Sequence, residues 1–178
     1  SAILMNSSSL NGNTLQKNVI KRATQWPGEQ GDNGFAEDAI AYGPYVPDAL
    51  QNFTPAAVTS IAGTTVKGTS GAGSPCPNCV IELFRDDLDA VKECLVFLKR
   101  VTANDSGNWT ATLPTALLPT QGLRTMSTVP DYFVISGLDP GSTSNISMLY
   151  TIPKVSVTAA DAIASEPGTN VGKFKFSR

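Results

Sequence analysis

Four carboxylates crowd one short stretch of this chain. Asp86, Asp87, Asp89 and Glu93 fall within eight residues, in the run FRDDLDAVKECL. Hard oxygen ligands gathered on neighbouring loops are what calcium requires. The cluster is therefore a candidate calcium site, which Asn104 and Asp105 would join if the flanking strands bring them close. The spacing is not that of an EF-hand, since the required Gly and late Glu are misplaced. A solvated acidic loop accounts for the same residues. The second reactive group is Cys76-Pro-Asn-Cys79. In an exported protein this reads as a short disulfide with Cys94 left over. A zinc site would need a carboxylate as fourth ligand, and a thioredoxin-like redox site would need a βαβ frame around it.

The chain has 178 residues and no histidine. Ser-His-Asp and Cys-His nucleophiles and every His-dependent zinc site are thereby excluded. Glycosidase chemistry needs two carboxyl groups held at a set separation across a cleft, and no feature of the sequence sets one. Lys17, Lys21 and Arg22 read as ordinary surface charges, not as the basic groove of a polysaccharide lyase. The expectation is that the chain is not an enzyme. Net charge is -2 with no block of like charges, which lacks the clustered Lys and Arg of a nucleic-acid binder. No apolar run is long enough to span a bilayer. The opening residues SAILMNSSS resemble the interior of a domain and not a signal peptide, so the chain reads as a mature or trimmed segment of something longer. The sequons at Asn6, Asn52, Asn104, Asn108 and Asn145 fit chance in a chain rich in Ser, Thr and Asn.

Those residues need a scaffold, and the composition favours strands. Hydrophobic residues make up 41% and charged residues 16%, with Ser, Thr, Asn and Gly supplying the rest, a mix suited to strands and turns. Residues 1–54 read as β-helix-like terminal coils. Segments 13–21 (NTLQKNVIK) and 33–41 (NGFAEDAIA) echo each other loosely, as stacked coils with Asn corners would. The prolines and glycine of 42–55 interrupt any regular element, which places a boundary near Pro55. Residues 55–152 read as a β-sandwich, with strands expected at 57–61, 64–69, 79–85, 95–103, 109–113, 123–129 and 146–151. Trp109, Ala111 and Leu113 alternate on one face, after a hairpin turn at 105–108. Residues 86–100 are ambiguous: Leu88, Val91, Leu95 and Leu98 have helical spacing, with Asp86 as cap and Lys99 and Arg100 suiting the C-terminus, yet 95–102 is rich in strand formers.

A resemblance bears on that ambiguity. Segments 66–69 (VKGT), 79–84 (CVIELF), 97–98 (FL), 102–114 (TANDSGNWTATLP) and 122–125 (GLRT) resemble the bacterial Ig-like modules at the ends of secreted parallel β-helix proteins. Among these are surface proteins with a CSLREA-type export region. Gln51-Asn-Phe and Pro55 are similar to the junction between β-helix and sandwich. The resemblance implies that the acidic stretch is a loop and that Phe97-Leu opens a strand. It thus implies strand–loop–strand, with at most one helical turn at 87–92, where the family more often has a Gly-rich loop. Residues 155–161 and 164–178 resemble the opening hairpin of a Calx-β module, so 153–178 would be a partial Calx-β-like hairpin. Some Calx-β modules bind calcium, but Asp161 and Glu166 belong to too small a part of one to carry a site.

Taken together, the chain reads as all-β: an Ig-like β-sandwich preceded by β-helix-like coils and followed by a β-hairpin. The expected function is an extracellular, structural or adhesive cell-surface module. Its partners would be neighbouring domains or other copies, joined by strand exchange into a filament. The rival is a carbohydrate-binding accessory module of a secreted polysaccharide-active protein. It would bind surface glycans through exposed aromatics, for which Trp26, Tyr42 and Tyr45 are the available cluster.

Overall fold

The structure, a computed structural model, describes residues 3–5, 14–20, 40–42, 45, 47–70, 76–89, 91–131, 137–153, 156–161 and 173–177. It is nearly all β. The strands are β1 (Ile3–Met5), β2 (Ile40–Tyr42), β3 (Ala57–Ala62), β4 (Thr65–Thr69), β5 (Val80–Asp86) and β6 (Val96–Thr102). They continue as β7 (Asn108–Thr112), β8 (Gly122–Thr128), β9 (Tyr150–Thr151), β10 (Ser156–Asp161) and β11 (Lys173–Ser177). One helix, α1 (Asp48–Gln51), lies between β2 and β3. No helix among the described residues is long and apolar enough to cross a membrane.

Two antiparallel sheets build the centre, in the orders β3-β4-β7 and β6-β5-β8-β9. Alternation puts Val66, Trp109 and Ala111 of the first sheet into one buried cluster with Ile81, Leu83 and Leu123 of the second, giving a sandwich-like packing. Trp109 lies flat enough on β4 that a Cβ at Gly68 would collide with its ring and with the carbonyl of Ala57. Leu50 of α1 and Phe53 belong to this same core, so its packing runs on through Pro55. The proline-rich segment does hold one short element: the Pro47 carbonyl accepts from Leu50 N at 2.9 Å and from Gln51 N at 3.1 Å, starting α1 where the missing proline N–H is not needed.

The stretch 80–102 is strand, loop, strand. No helical turn occurs in 87–92 among the described residues. The helical spacing of its leucines loses to the β5–β6 ladder, which pairs Val80 with Thr102 through Arg85 with Val96. The turn at 105–108 is not a hairpin, because β6 and β7 lie in different sheets. Asn104 Oδ1 accepts from Ser106 N at 3.0 Å and from Asn108 N at 2.9 Å. With Gly107 at φ 76°, those bonds turn the chain from one layer to the other. The strand expected at 146–151 shrinks to Tyr150–Thr151. Upstream of it, Ser147 Oγ and Ser144 Oγ accept from Thr125 N (2.9 Å) and Ser127 N (3.0 Å), so hydroxyls replace carbonyls in the ladder along β8.

Of the two segments that echo each other in sequence, only 14–20 and Ile40–Ala41 are among the described residues. β1 and β2 pair in parallel, Ile3 with Ile40. Ile20 makes an antiparallel bridge with Cys94. β10 and β11 form a separate antiparallel hairpin.

Candidate functional site

The outer face of the β6-β5-β8-β9 sheet, turned away from the sandwich core, holds the charged chemistry. The β5–β8 register pairs Glu82 with Met126 and Phe84 with Arg124, so Glu82, Phe84, Asp86, Arg124 and Met126 share that face. All five are buried. Residues 14–20 strap across it. Thr14 Oγ1 donates to Gly141 O at 2.9 Å, Thr143 Oγ1 accepts from Leu15 N at 3.0 Å, and Ile20 and Cys94 exchange two backbone bonds at 3.0 Å. Ile20, Ile40, Phe84, Cys94, Met126 and Ile146 form a second apolar cluster beneath it.

Among the described residues, two ion pairs sit in this layer. Glu82 Oε1 accepts from Arg100 Nε at 3.0 Å and Nη2 at 2.7 Å, while Oε2 accepts from Lys17 N at 2.8 Å. Arg100 Nη2 also reaches Gln16 Oε1 at 2.7 Å. One buried carboxylate thus ties β6 and the strap to β5. Lys17, expected to be an ordinary surface charge, adopts φ 53° and holds its ammonium 5.9 Å from the Phe97 ring centre. Lys21 and Arg22 lie outside the described residues.

The second pair is Asp86 with Arg124, joined through Nε and Oδ2. Arg124 also donates from Nη1 to Ser147 O and from Nη2 to Val91 O, both at 3.0 Å. Asp86 accepts from Asp87 N at 3.0 Å and from Glu93 N at 3.3 Å. Burial pushes the Asp86 carboxyl above its ordinary range, against the opposing pull of Arg124 and of those two backbone N–H groups. Downstream, Asp87 Oδ1 accepts from Asp89 N at 3.1 Å and Asp89 Oδ1 from Val91 N at 2.8 Å. These are Asx-type bonds that shape the loop.

Of the four acidic residues singled out in the sequence, the structure gathers three. Ligand oxygens of Asp86, Asp87 and Glu93 lie within 4.8 Å of one another, and Asp89 stands outside that group. Asn104 and Asp105 do not join them. The β5–β6 register sends them to the opposite end of β5, about 20 Å away at about 3.4 Å per residue. Asp105 accepts instead from Asn78 Nδ2 at 3.1 Å. Calcium takes six to eight oxygens. Asp86 already spends its oxygens on Arg124 and two N–H groups, so the donor set fits a metal only in part.

Cys76 and Cys79 are joined in a disulfide with Cα atoms 5.4 Å apart. Asn78, at φ 62°, makes the turn between them, and Ser70 Oγ accepts from Cys76 N at 2.8 Å. Cys94 is a free, buried thiol. Its pKa is raised by burial and by Asp86, Glu82 and Glu93, with Arg124 opposing. Of the aromatics considered for sugar binding, Tyr45 is 69% exposed; Trp26 and the side chain of Tyr42 lie outside the described residues. The sequence does not single out Glu82 or Arg124, and it names Arg100 only as a residue suited to a helix C-terminus. Their one signal is a charged residue set within a strand-forming run. No family model matches this chain, and neither does any curated protein or solved structure.

Proposed function

We propose that this chain is an extracellular structural or adhesive cell-surface module. It is read as an Ig-like sandwich that closes the end of a parallel β-helix and associates with other copies by strand exchange. One observation carries the reading: the buried charges on the outer sheet face are spent on holding chain segments together, as in a joint. Glu82 grips the strap and β6, and Arg124 grips the acidic loop and the 142–149 segment. The strand order supports the Ig-like reading, since β3-β4-β7 and β6-β5-β8-β9 correspond to a three-plus-four sandwich with the fourth strand switched between sheets. The parallel β1–β2 pair supports preceding coils, and the Cys76–Cys79 disulfide suits an oxidising compartment. Calcium, on this reading, is a weak ligand of Asp87 and Glu93. Fractionation of cells making the full-length protein is the test. The chain is expected at the surface or in the medium, with Cys76 and Cys79 linked in non-reducing peptide maps. Recovery from the cytosol with both thiols free would overturn the proposal.

A further inference from the structure

One row beyond Glu82, the outer face of the four-stranded sheet opens into a polar hollow. Val80 pairs with Thr102 of β6 on one side and with Thr128 of β8 on the other. Alternation puts this row on the face that carries Glu82. The three residues line a cavity of about 210 Å³, together with Gln16 of the strap, Asn78 of the disulfide turn and Asp131 beyond β8. Thr102 and Asp131 are exposed, and Gln16, Asn78 and Val80 are half-buried. Charged neighbours fix which end of each amide is spent. Arg100 Nη2 donates to Gln16 Oε1 at 2.7 Å. A guanidinium only donates, so that end must be the oxygen, and the Gln16 NH2 is left to donate elsewhere. Asn78 Nδ2 donates to Asp105 Oδ1 at 3.1 Å. A carboxylate only accepts, so Asn78 Oδ1 is left to accept. The hollow thus gathers a donor from Gln16, acceptors from Asn78 and Asp131, and a Thr102 hydroxyl able to do both.

We propose that this hollow binds a single neutral sugar ring, the terminal or branch residue of a glycan. Adjacent sugar hydroxyls both donate and accept, so they satisfy Asp131 and Asn78 Oδ1 while accepting from Gln16. Val80 offers an apolar patch to the C–H face of the ring. An ammonium carries only donors and would set its charge against the Gln16 NH2. An anion would meet Asp131. An apolar ligand would strip water from these polar groups and replace none of their bonds. Size agrees, since the cavity is smaller than the ~300 Å³ at which sites for drug-sized ligands begin. It admits one ring and not an extended chain. At the ordinary efficiency per atom, a hexose binds with a dissociation constant of about 2 mM. The inference deepens the adhesive part of the proposed function and rests on it for access to glycans, whereas binding by the purified chain is decided apart from location.

The test titrates the isotope-labelled full chain with the methyl glycosides of glucose, galactose, mannose and N-acetylglucosamine, each to about 50 mM, and follows backbone amide signals. At least one glycoside is expected to shift Asn78, Thr102 and Asp131 saturably. Gln16→Glu keeps an oxygen for Arg100 and replaces the NH2 by an acceptor, so the strap stays fastened while the sugar loses its donor. Asp131→Ala removes an exposed carboxylate. Each should weaken binding by about tenfold or more, with Tm no lower than that of the parent. Thr110→Ala, exposed on the other sheet, should leave binding unchanged. Absence of a saturable shift with all four glycosides overturns the proposal. So do equal shifts with glycerol, which mean polyol contact without a site, and full affinity in Gln16→Glu. Tighter binding of methylammonium would mean an amine site, and saturable shifts centred on Tyr45 would place sugars on the exposed aromatic instead. Either of these also overturns it. None of these results bears on the location of the chain, which fractionation decides.

Discussion

The two faces of the four-stranded sheet are buried by different means. On the inner face Ile81, Leu83, Leu123 and Val129 meet the other sheet across an apolar core. Its few polar groups are small: Thr125 Oγ1 donates to Ala56 O and Ser127 Oγ accepts from Ala56 N at 2.9 Å, clasping the chain as it enters β3. On the outer face Glu82, Asp86 and Arg124 are equally buried, and what covers them is a strap and two loops. The inner face is held by area removed from water, which is indifferent to direction. The outer face is held by directional bonds that fail together when one partner is removed. Mutations should separate the two.

The largest effect is expected at Arg124. Arg124→Met removes the guanidinium and leaves the Asp86 charge buried, at a cost of about 4 kcal/mol. Adding Asp86→Leu should recover more than half of that loss, because the uncompensated charge goes with it. Urea titration of both variants checks this. A double variant no more stable than Arg124→Met would mean that the bonds from Arg124 to Ser147 O and Val91 O, rather than the charge, carry the layer. On the inner face Leu83→Ala is expected to cost about 3 kcal/mol as a cavity, with no partner able to restore it. A rescue by any single polar substitution nearby would blur the distinction between the faces.

How far each face was legible in the sequence follows the same division. Seven strands were expected in 57–151, and six appear within a residue or so of their predicted limits. Alternation such as NWTAT depends only on neighbours along the chain. The failures involve distant partners. The strand expected at 146–151 falls short because the hydroxyls of Ser144 and Ser147 take the place of ladder carbonyls. The turn at 105–108 has the residues of a hairpin, and only the sheet order reveals that it crosses between layers. The acidic cluster was visible because its members are adjacent. Its cation was not, because Arg124 arrives 38 positions downstream of Asp86 through the β5–β8 register. The same holds for Glu82 and Lys17, which are brought together across 65 positions.

Cys94 offers a smaller effect that reports on the outer layer alone. Burial first, and then the charges of Asp86, Glu82 and Glu93 against that of Arg124, raise its folded pKa above the ordinary value near 9. A thiol raised on folding contributes fully below the unfolded value, and that contribution is lost as pH climbs past it. Above pH 9 the unfolded chain ionises this thiol and the folded chain does not. Wild type should therefore lose up to about 1.4 kcal/mol per pH unit relative to Cys94→Ala. Melting curves of the two proteins between pH 8 and 10.5 give the readout, and other titrating groups cancel in the difference. A gap constant across that range would mean that the outer layer admits water to the thiol.

The smallest effect concerns calcium. Arg124 already neutralises Asp86 and Glu93 has a partner of its own, so affinity in the millimolar range is the most the trio supports. At 10 mM calcium and a dissociation constant of about 1 mM, mass action stabilises the fold by roughly 1.4 kcal/mol, a rise of a few degrees in Tm. Asp87→Asn should abolish the rise, whereas Asp89→Asn, outside the gathered trio, should leave most of it. A rise lost equally in both variants would mean that calcium acts through the net charge of the loop. Identical melting curves in calcium and in chelator would leave the Asx-type bonds of Asp87 and Asp89 as the whole role of those two side chains. The outer face would then hold its acidic residues solely to fold the loop around Arg124.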